Sequence, residues 1–188
     1  TKINHPVFER HYATGQTTST NFPITPGSAQ TAIGNPTLPG QYDAFVTKVS
    51  PAGSLVYSTY LGGTNYDAGW AIKADNAGFA YVVGRGRSSN FPGIVPLTGS
   101  PVPSPTTWAF YSKINPTGSG LLFSVYLGGT TARAGTSGDT EPLGLALDAQ
   151  SNAYITGFTR SANFPLLSAA QSTPGGTIDD FVMKIGDR

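Results

Sequence analysis

The side chains that could do chemistry in this sequence are few, and they are scattered along the chain. His5 and His11 are the only two histidines, and the absence of cysteine excludes thiolate catalysis, disulfide bonds and thiol-bound zinc. The histidines could bind a metal ion, but the simpler interpretation is two polar residues in an irregular N-terminal segment. No Ser-His-Asp set, HExxH motif or pair of carboxylates at catalytic spacing can be assembled. We therefore predict no catalytic residues and no enzymatic activity.

The acidic residues recur at equivalent places in the chain, which favours a structural role in turns and at strand ends. Two small sets could still offer oxygen ligands to Ca²⁺, Asp139 with Glu141 and Asp148 with Asn152. Each set is smaller than the six to eight oxygen ligands that calcium usually takes. We therefore expect no cofactor, with bound calcium as the alternative.

Arginine and tryptophan side chains are the candidates for contact with a ligand or partner. A basic strip could contact an acidic glycan or a phosphate, and an exposed indole ring could stack on a sugar. The simpler interpretation is a solvated face for the arginines and packing between sheets for the tryptophans. The predicted contact residues are Trp70, Trp108, Arg85, Arg87, Arg133 and Arg160.

Four short motifs return along the chain in one cyclic order, and this repetition is the strongest signal in the sequence. They are Tyr-x-x-Gly at 12–15, 81–84 and 154–157, each followed by Asn-Phe-Pro; Phe-x-x-Lys at 45–48, 110–113 and 181–184; Tyr-Leu-Gly-Gly at 60–63 and 126–129; and an apolar segment ending in Asp at 71–75 and 145–148. Period-two alternation of apolar residues predicts short strands, which turns rich in Pro, Gly, Asp and Asn connect. The unit is four antiparallel strands, A to D, in about 70 residues. This is the blade of a β-propeller.

The composition agrees with an all-β chain that has many turns. Glycine and proline are abundant, at 24 and 15 of 188 residues, and charged residues make up only 11%. A net charge of +1 gives no strong electrostatic attraction to nucleic acid or to an anionic membrane. The sequence contains no run of 18 apolar residues, so it predicts no membrane-spanning helix. The chain begins with Thr1 and shows no signal peptide. Either a leader has been removed or the sequence is part of a longer chain.

The repeated motifs resemble the bacterial SBBP repeat, a β-propeller repeat family. Residues 43–63 resemble its pattern almost throughout, and residues 107–129 do so with Trp108 where the family has Asp. Residues 153–165 and 179–184 match the remaining pieces, so the resemblance covers most of residues 12–188. It implies a propeller in an exported or cell-surface protein, and it implies no shared catalytic residues.

Counting the predicted strands gives ten, or nearly three blades in a single domain. The predicted blades are 12–63, which is partial, 64–129, and 130–188, which lacks its last strand. Residues 1–11 could add a first A strand or form the end of a C strand, and both alternatives stay open. The insertions at 93–106 and 130–141 are expected to be loops, the first of them extended or irregular.

Propellers close with about four to eight blades, so fewer than three blades leave the ring incomplete. The chain could be a fragment of a longer secreted propeller, identical chains could form a ring or filament, or a different partner could complete it. We expect a non-catalytic extracellular structural protein that self-assembles through blade–blade and strand-addition contacts. The alternative is a surface module that binds a glycan or a protein through the loops at 93–106 and 130–141.

Overall fold

The computed structural model describes residues 11–37, 40–96 and 107–187. Within these ranges the chain forms eleven β-strands and no helix. The strands are β1 (His11–Thr17), β2 (Asp43–Val49), β3 (Leu55–Leu61), β4 (Asp67–Ala74), β5 (Ala80–Gly86), β6 (Ile94–Pro96), β7 (Trp108–Ile114), β8 (Leu121–Leu127), β9 (Thr140–Leu147), β10 (Ala153–Thr159) and β11 (Asp179–Ile185). The predictions for His5, for residues 1–10 and for residues 97–106 lie outside the described residues.

The strands form three sheets that follow one another along the chain. Blade 1 is the sheet β1-β2-β3, blade 2 is β4-β5-β7-β8-β6, and blade 3 is β9-β10-β11. Every neighbouring pair is antiparallel except β6 and β8, which are parallel. Blade 2 therefore contains the complete A-to-D meander, and the described part of the chain forms no closed ring. The predicted all-β partial propeller is confirmed.

Two details differ from the sequence interpretation. His11 is the first residue of β1, paired with Val49, and does not lie in an irregular segment. Residues 94–96, inside the expected irregular loop, form β6 along the outer edge of β8. The physical reason is that an outermost strand exposes a row of unpaired backbone groups, which the returning chain satisfies.

The outer edge of blade 1 is covered in the same manner, although without a regular strand. The amide of Thr25 donates to the carbonyl of Ser58 at 3.0 Å, and the amide of Tyr60 donates to the carbonyl of Gln30 at 3.2 Å. The connection between the second and third strands of the meander thus returns along the outer strand in both blades.

Two hydrophobic cores fill the spaces between neighbouring blades. The core between blades 1 and 2 contains Ala44, Val46, Tyr57, Leu61, Ala80, Val82, Phe91, Trp108, Phe110, Ile114 and Tyr126. The core between blades 2 and 3 contains Tyr81, Val83, Ala109, Tyr111, Val125, Leu127, Leu145, Ala153, Ile155, Phe181 and Ile185. Successive residues of β5 alternate between the two cores, as the period of a strand requires. Blade 2 is therefore apolar on both faces.

The glycine of the Tyr-x-x-Gly motif is needed where an A strand lies beside it. A Cβ on Gly84 would overlap the carbonyl oxygen of Ala68 in β4, and a Cβ on Gly157 would overlap that of Glu141 in β9. Both A strands contain a β-bulge at this point. Gly15 has no A strand beside it in the described residues, and the nearest atoms to its Cβ would be those of the Phe45 ring, the first at 2.9 Å.

We predict that Gly84→Ala lowers the free energy of unfolding by about 2–3 kcal/mol, because the backbone of β4 must move away from the new methyl group. In the matched variant Gly15→Ala, the new methyl group contacts the ring of Phe45 but no backbone carbonyl. This variant should therefore lower the free energy of unfolding by less than about 1 kcal/mol. Urea unfolding measures both values. Equal losses in the two variants would contradict this account of the motif.

Candidate interaction surfaces

The two ends of the blades differ in the length of their connections. One end, here the turn end, has the tight turns 50–54, 75–79, 115–120 and 148–152. These turns are hydrogen-bonded locally; the amide of Gly78, for example, donates to the carbonyl of Asp75 at 3.0 Å. The opposite end, here the loop end, has the connections 18–42, 62–66, 87–107, 128–139 and 160–178. Because loops on a rigid scaffold are where binding usually evolves, the loop end is the first surface to inspect.

Arg133, a predicted contact residue, is bound within the loop end. Its guanidinium forms an ion pair with Asp179 at 2.6 Å and donates to the carbonyl of Ser161 at 3.1 Å and to that of Gly176 at 2.5 Å. The pKa of Asp179 is lowered, first by the amide of Gly175 and then by Arg133. The structure therefore uses Arg133 to join two loops of blade 3.

Arg160 lies beside a shallow cleft of about 320 Å³ at the loop end of blade 3. Threonine, serine and glycine residues line the rest of the cleft, namely Gly135, Thr136, Ser137 and Thr177, together with Ile178. The guanidinium of Arg160 stacks on the ring of Phe158, with its central carbon 4.8 Å from the ring centroid. An arginine together with threonine and serine residues at one cleft is a suitable composition for binding an anionic or hydroxylated ligand.

The other two predicted arginines belong to blade 2. Arg85 approaches the hydroxyl of Thr107 at 3.5 Å, and Arg87 lies over the ring of Tyr66 at 5.8 Å. Since Arg160 belongs to blade 3, the predicted basic strip draws on two different blades.

The two predicted tryptophans have opposite environments. Trp108 is 1% exposed and makes edge-to-face contacts with Phe91 and Tyr126, so its ring packs between blades 1 and 2 and does not face a surface ligand. Trp70 is 39% exposed, because it is the extra residue of the β4 bulge. Leu143 holds the equivalent bulge position in β9 and is also exposed. Bulges re-aim side chains in this way.

A tyrosine and a lysine lie opposite each other on the same face of every blade. These Tyr–Lys pairs are Tyr12–Lys48, Tyr81–Lys113 and Tyr154–Lys184, each between its blade's second and third strands in A-to-D order. In each pair the ammonium lies over the ring, at 5.5, 5.1 and 5.0 Å from the centroid. The sequence interpretation missed them, although both residues recur in the repeated motifs.

At the first interface, blade 2 supplies two backbone oxygens to the Tyr–Lys pair of blade 1. Lys48 donates to the carbonyl of Pro116 at 3.2 Å, and the hydroxyl of Tyr12 donates to the carbonyl of Gly78 at 3.1 Å. Pro116 lies two residues beyond the end of β7. The pair therefore fixes how blade 2 is seated on blade 1.

At the second interface, blade 3 supplies a carboxylate from the equivalent position. Asp187 lies two residues beyond the end of β11, and it contacts the ammonium of Lys113 at 2.5 Å and the hydroxyl of Tyr81 at 3.1 Å. The third pair, in blade 3, is bonded only within its own blade among the described residues. There both Tyr154 and Lys184 contact Asp148 at 3.4 Å.

Two buried carboxylates lie where blades 1 and 2 meet at the loop end. Asp67 accepts from the amide of Gly63 at 2.8 Å and from the amide and hydroxyl of Ser88. Asp43 accepts from the amide of Gly34 at 2.8 Å and the side chain of Gln30 at 3.2 Å. Burial raises the pKa of Asp67, and it raises the pKa of Asp43 to about 7, because loss of solvation outweighs the hydrogen bonds.

Three of the residues that the sequence suggested as calcium ligands, Asp139, Asp148 and Asn152, form hydrogen bonds within the protein. The amide nitrogen of Asn152 donates to both carboxylate oxygens of Asp148, at 3.0 and 2.8 Å, and these and other hydrogen bonds lower the pKa of Asp148 to about 2. Asp139 accepts from the amide of Thr107 at 3.2 Å. In the described ranges, no group of three or more His, Cys, Asp or Glu side chains is placed to hold a metal ion. The absence of a cofactor stays a prediction, with bound calcium as its alternative.

The fold and its interfaces define a propeller-type module, and comparison with known families agrees. Residues 56–92 match the family described as SBBP: Beta-propeller repeat. The matched segment runs from β3 through β5 to the Asn-Phe-Pro motif, and it confirms the resemblance over those residues. No curated protein matches the chain. Among the described residues, no helix is long and apolar enough to cross a membrane.

We predict that Lys113→Met lowers the free energy of unfolding by about 2–3 kcal/mol, because it leaves the carboxylate of Asp187 at the interface without its cation. The control is Lys184→Met, which removes the equivalent lysine from the exposed third pair and should cost less than about 0.5 kcal/mol. Thermal or urea unfolding measures both. A loss at Lys184 as large as that at Lys113 would refute the assignment.

We predict that Asp43 makes the fold less stable as the pH rises. The folded-state pKa of Asp43, about 7, lies above its ordinary value of 3.8, so the folded state binds the proton more tightly. This stabilisation is fully present below about pH 4 and is lost as the pH rises through 7. Asp43→Asn should remove it, so the variant gains stability relative to the parent between pH 4 and 8.

Urea unfolding at several pH values tests this, with the exposed Asp180→Asn as the control. The difference between parent and Asp43→Asn should change by up to about 4 kcal/mol across this range. A difference that does not depend on pH would contradict the raised pKa.

Proposed function

We propose that this protein is a non-catalytic structural module of the bacterial cell exterior that assembles with copies of itself through blade–blade contacts. The single observation behind this proposal is the open face of blade 3. It repeats the features of two faces that are occupied within the same chain, and it has no occupant among the described residues.

The apolar part of this open face is exposed where its equivalents are buried. Val182 is 78% exposed, whereas Val46 and Tyr111, at the same position in blades 1 and 2, are 0% exposed. The Tyr–Lys pair of blade 3 lies on this face and receives no oxygen from a following blade in the described part of the chain. A face of this kind favours docking of another blade.

The outer face of blade 1 offers the complementary surface. Ala13 is exposed there, whereas Val82 and Ile155, at the same position in blades 2 and 3, are fully buried against the preceding blade. Pro51 lies two residues beyond the end of β2, where the later blades have Pro116 and Asp187. In the proposed contact, the carbonyl of Pro51 from one copy accepts a hydrogen bond from Lys184 of another. The contact is head to tail, so it produces a ring if it closes and a filament if it does not.

The composition supports this role and an extracellular location. A net charge of +1 with 11% charged residues means that identical chains repel one another only weakly. The glycine-rich, cysteine-free composition and the match to a propeller repeat are in keeping with an exported scaffold. The proposal requires no catalytic group.

We predict that Val182→Asp prevents self-association, because it places a charge in the apolar contact. Sedimentation velocity over a range of concentrations should show species larger than 19.5 kDa for the parent and a monomer for the variant. The matched control is Leu167→Asp, at a 94% exposed loop residue, which should assemble like the parent. A parent that stays monomeric throughout, or a Val182→Asp variant that assembles normally, would rule out this contact.

A second candidate function is ligand binding at the loop end, as in a module that recognises a glycan or an acidic group. The observation that favours it is the cleft at the loop end of blade 3, which Arg160 lines together with Thr136, Ser137 and Thr177. The exposed ring of Trp70 offers a stacking surface elsewhere on the molecule.

A further inference from the structure

The loop that leads into the A strand is longer in blade 3 than in blade 2, and the added residues help to form the cleft at the loop end. Twelve residues, 128–139, join β8 to β9, whereas five residues, 62–66, join β3 to β4. The longer loop supplies half of the residues that line the cleft, namely Gly135, Thr136 and Ser137. This part of the lining is therefore an addition to the repeat, and the shorter loop of blade 2 has no counterpart of it.

Backbone hydrogen bonds hold the longer loop against the residues that follow β10. The amide of Arg160 donates to the carbonyl of Asp139 at 2.7 Å, and the amide of Arg133 donates to the carbonyl of Arg160 at 3.1 Å. The amide of Thr136 closes a tight turn on the carbonyl of Arg133 at 3.0 Å, and Gly135, the third residue of this turn, has a φ of 74°. A positive φ at the third position is typical of a type II turn, and glycine adopts it without strain. The loop thus has a defined conformation before a ligand binds.

The side chain of Arg133 joins the two loops that line the cleft. It donates to the carbonyl of Gly176 at 2.5 Å and pairs with Asp179 at 2.6 Å. Gly176 directly precedes Thr177 and Ile178, which line the cleft from the second loop. The side chain of Arg133 is only 10% exposed, so little solvent competes for these contacts. Because the two loops are held together in advance, less of the binding energy is lost in ordering them.

Arg160 is the one charged residue in the lining of the cleft. Its guanidinium stacks on the ring of Phe158, and within the described ranges it donates no hydrogen bond and forms no ion pair. Arg133 differs, because Asp179 neutralises its charge. A guanidinium has five N–H donors in one plane and can bind a carboxylate through two parallel hydrogen bonds. The lining therefore contains a cation whose donors are available to a carboxylate.

Two hydroxyl groups of the lining already donate their protons within the protein. The hydroxyl of Thr136 donates to the carbonyl of Arg133 at 2.9 Å, and the hydroxyl of Ser137 donates to the carboxylate of Asp139. Both oxygens can still accept hydrogen bonds, so they suit a ligand that has hydroxyl groups of its own. Ile178, which is 48% exposed, adds an apolar surface to the same lining. The lining thus matches a ligand with a carboxylate, hydroxyl groups and an apolar face.

We propose that this cleft binds a sugar acid, that is, a pyranose ring that carries a carboxylate, as in acidic polysaccharides. Arg160 binds the carboxylate, Thr136 and Ser137 accept from ring hydroxyls, and Ile178 packs against the C–H face of the ring. A volume of about 320 Å³ lies at the lower end of the range for small-ligand pockets. The inference rests on the second candidate function and deepens it by naming the ligand class.

The test is a saturation-transfer NMR titration of the full chain with sodium glucuronate. This method observes the ligand and tolerates weak binding and large assemblies, so it works whether or not the chain self-associates. Glucose is the matched control ligand, because it has a hydroxymethyl group where glucuronate has the carboxylate. We expect saturable transfer to the ring protons of glucuronate and at least about tenfold weaker binding of glucose at the same ionic strength.

Inorganic phosphate, added in competition, separates a sugar-acid site from a general anion site. At the concentration of glucuronate it should displace only a small part of the bound sugar, because it makes no use of the apolar surface of Ile178. Complete displacement under these conditions would show that the ring contributes nothing and would overturn the proposal. Absence of transfer to glucuronate would overturn it as well.

Substitutions in the protein give the reciprocal test. Arg160→Gln should weaken glucuronate binding by at least about tenfold, because it removes the cation. The matched control is Arg87→Gln, which removes the same charge at the same repeat position of blade 2, outside the lining of the cleft, and should leave the affinity unchanged. Equal effects of the two substitutions would refute the assignment of Arg160. The comparison of glucuronate with glucose changes only the ligand, so it decides the question even if a variant fails to fold.

The inference and the proposals it builds on can fail separately. If the chain self-associates but gives no transfer to glucuronate, the sugar-acid site is wrong and assembly through blade faces stands. If glucuronate binds but the chain stays monomeric at every concentration, the self-assembly proposal is wrong and the site in blade 3 stands. If glucose binds as tightly as glucuronate, recognition of the carboxylate is wrong, while glycan binding at the loop end stands.

Discussion

Burial of both faces of the central sheet, blade 2, is the constraint on which the rest of this structure depends. Successive residues of β5 contribute to opposite cores, so Ala80 and Val82 pack towards blade 1 while Tyr81 and Val83 pack towards blade 3. A single blade would leave both of its apolar faces in water. Stability therefore resides in contacts between neighbours, as in other repeat architectures. Strand pairing sets the shape of a blade, and contact with the next blade buries its apolar side chains.

Apolar packing alone would not determine how one blade sits on the next, because two pleated surfaces can slide past each other. The Tyr–Lys pair provides the missing specificity, since its ammonium and hydroxyl groups require oxygens at defined positions. Pro116 supplies one at the first interface and Asp187 supplies another at the second. A backbone carbonyl and a carboxylate serve the same purpose because both come from the same place in the repeat. The charge of the acceptor can vary while its position does not.

Much of the architecture could be predicted from the sequence, because period-two alternation and turn residues are local signals. The ten strands of the meander follow from them. The strand β6 could not be predicted from these signals, because it forms only where the folded chain brings residues 94–96 beside the edge of β8. Site residues were harder to predict for the same reason. Arg133 is bound by Asp179, which lies 46 positions away, and the burial of Trp108 depends on a neighbouring blade. The roles of Tyr81 and Lys113 were predictable in principle, because a tyrosine and a lysine occur at these two positions in every repeat.

The covering of β3 and β8 by the returning chain has a consequence for how the protein behaves at high concentration. The central part of each outer strand forms hydrogen bonds with the returning chain of its own blade, so this part of the edge offers no template to a foreign strand. Edge-to-edge strand pairing, a route to cross-β aggregates, is therefore disfavoured along these covered parts of the two edges. In the proposed assembly, one copy would therefore add to the next through its blade faces and not through the covered parts of the outer edges of blades 1 and 2.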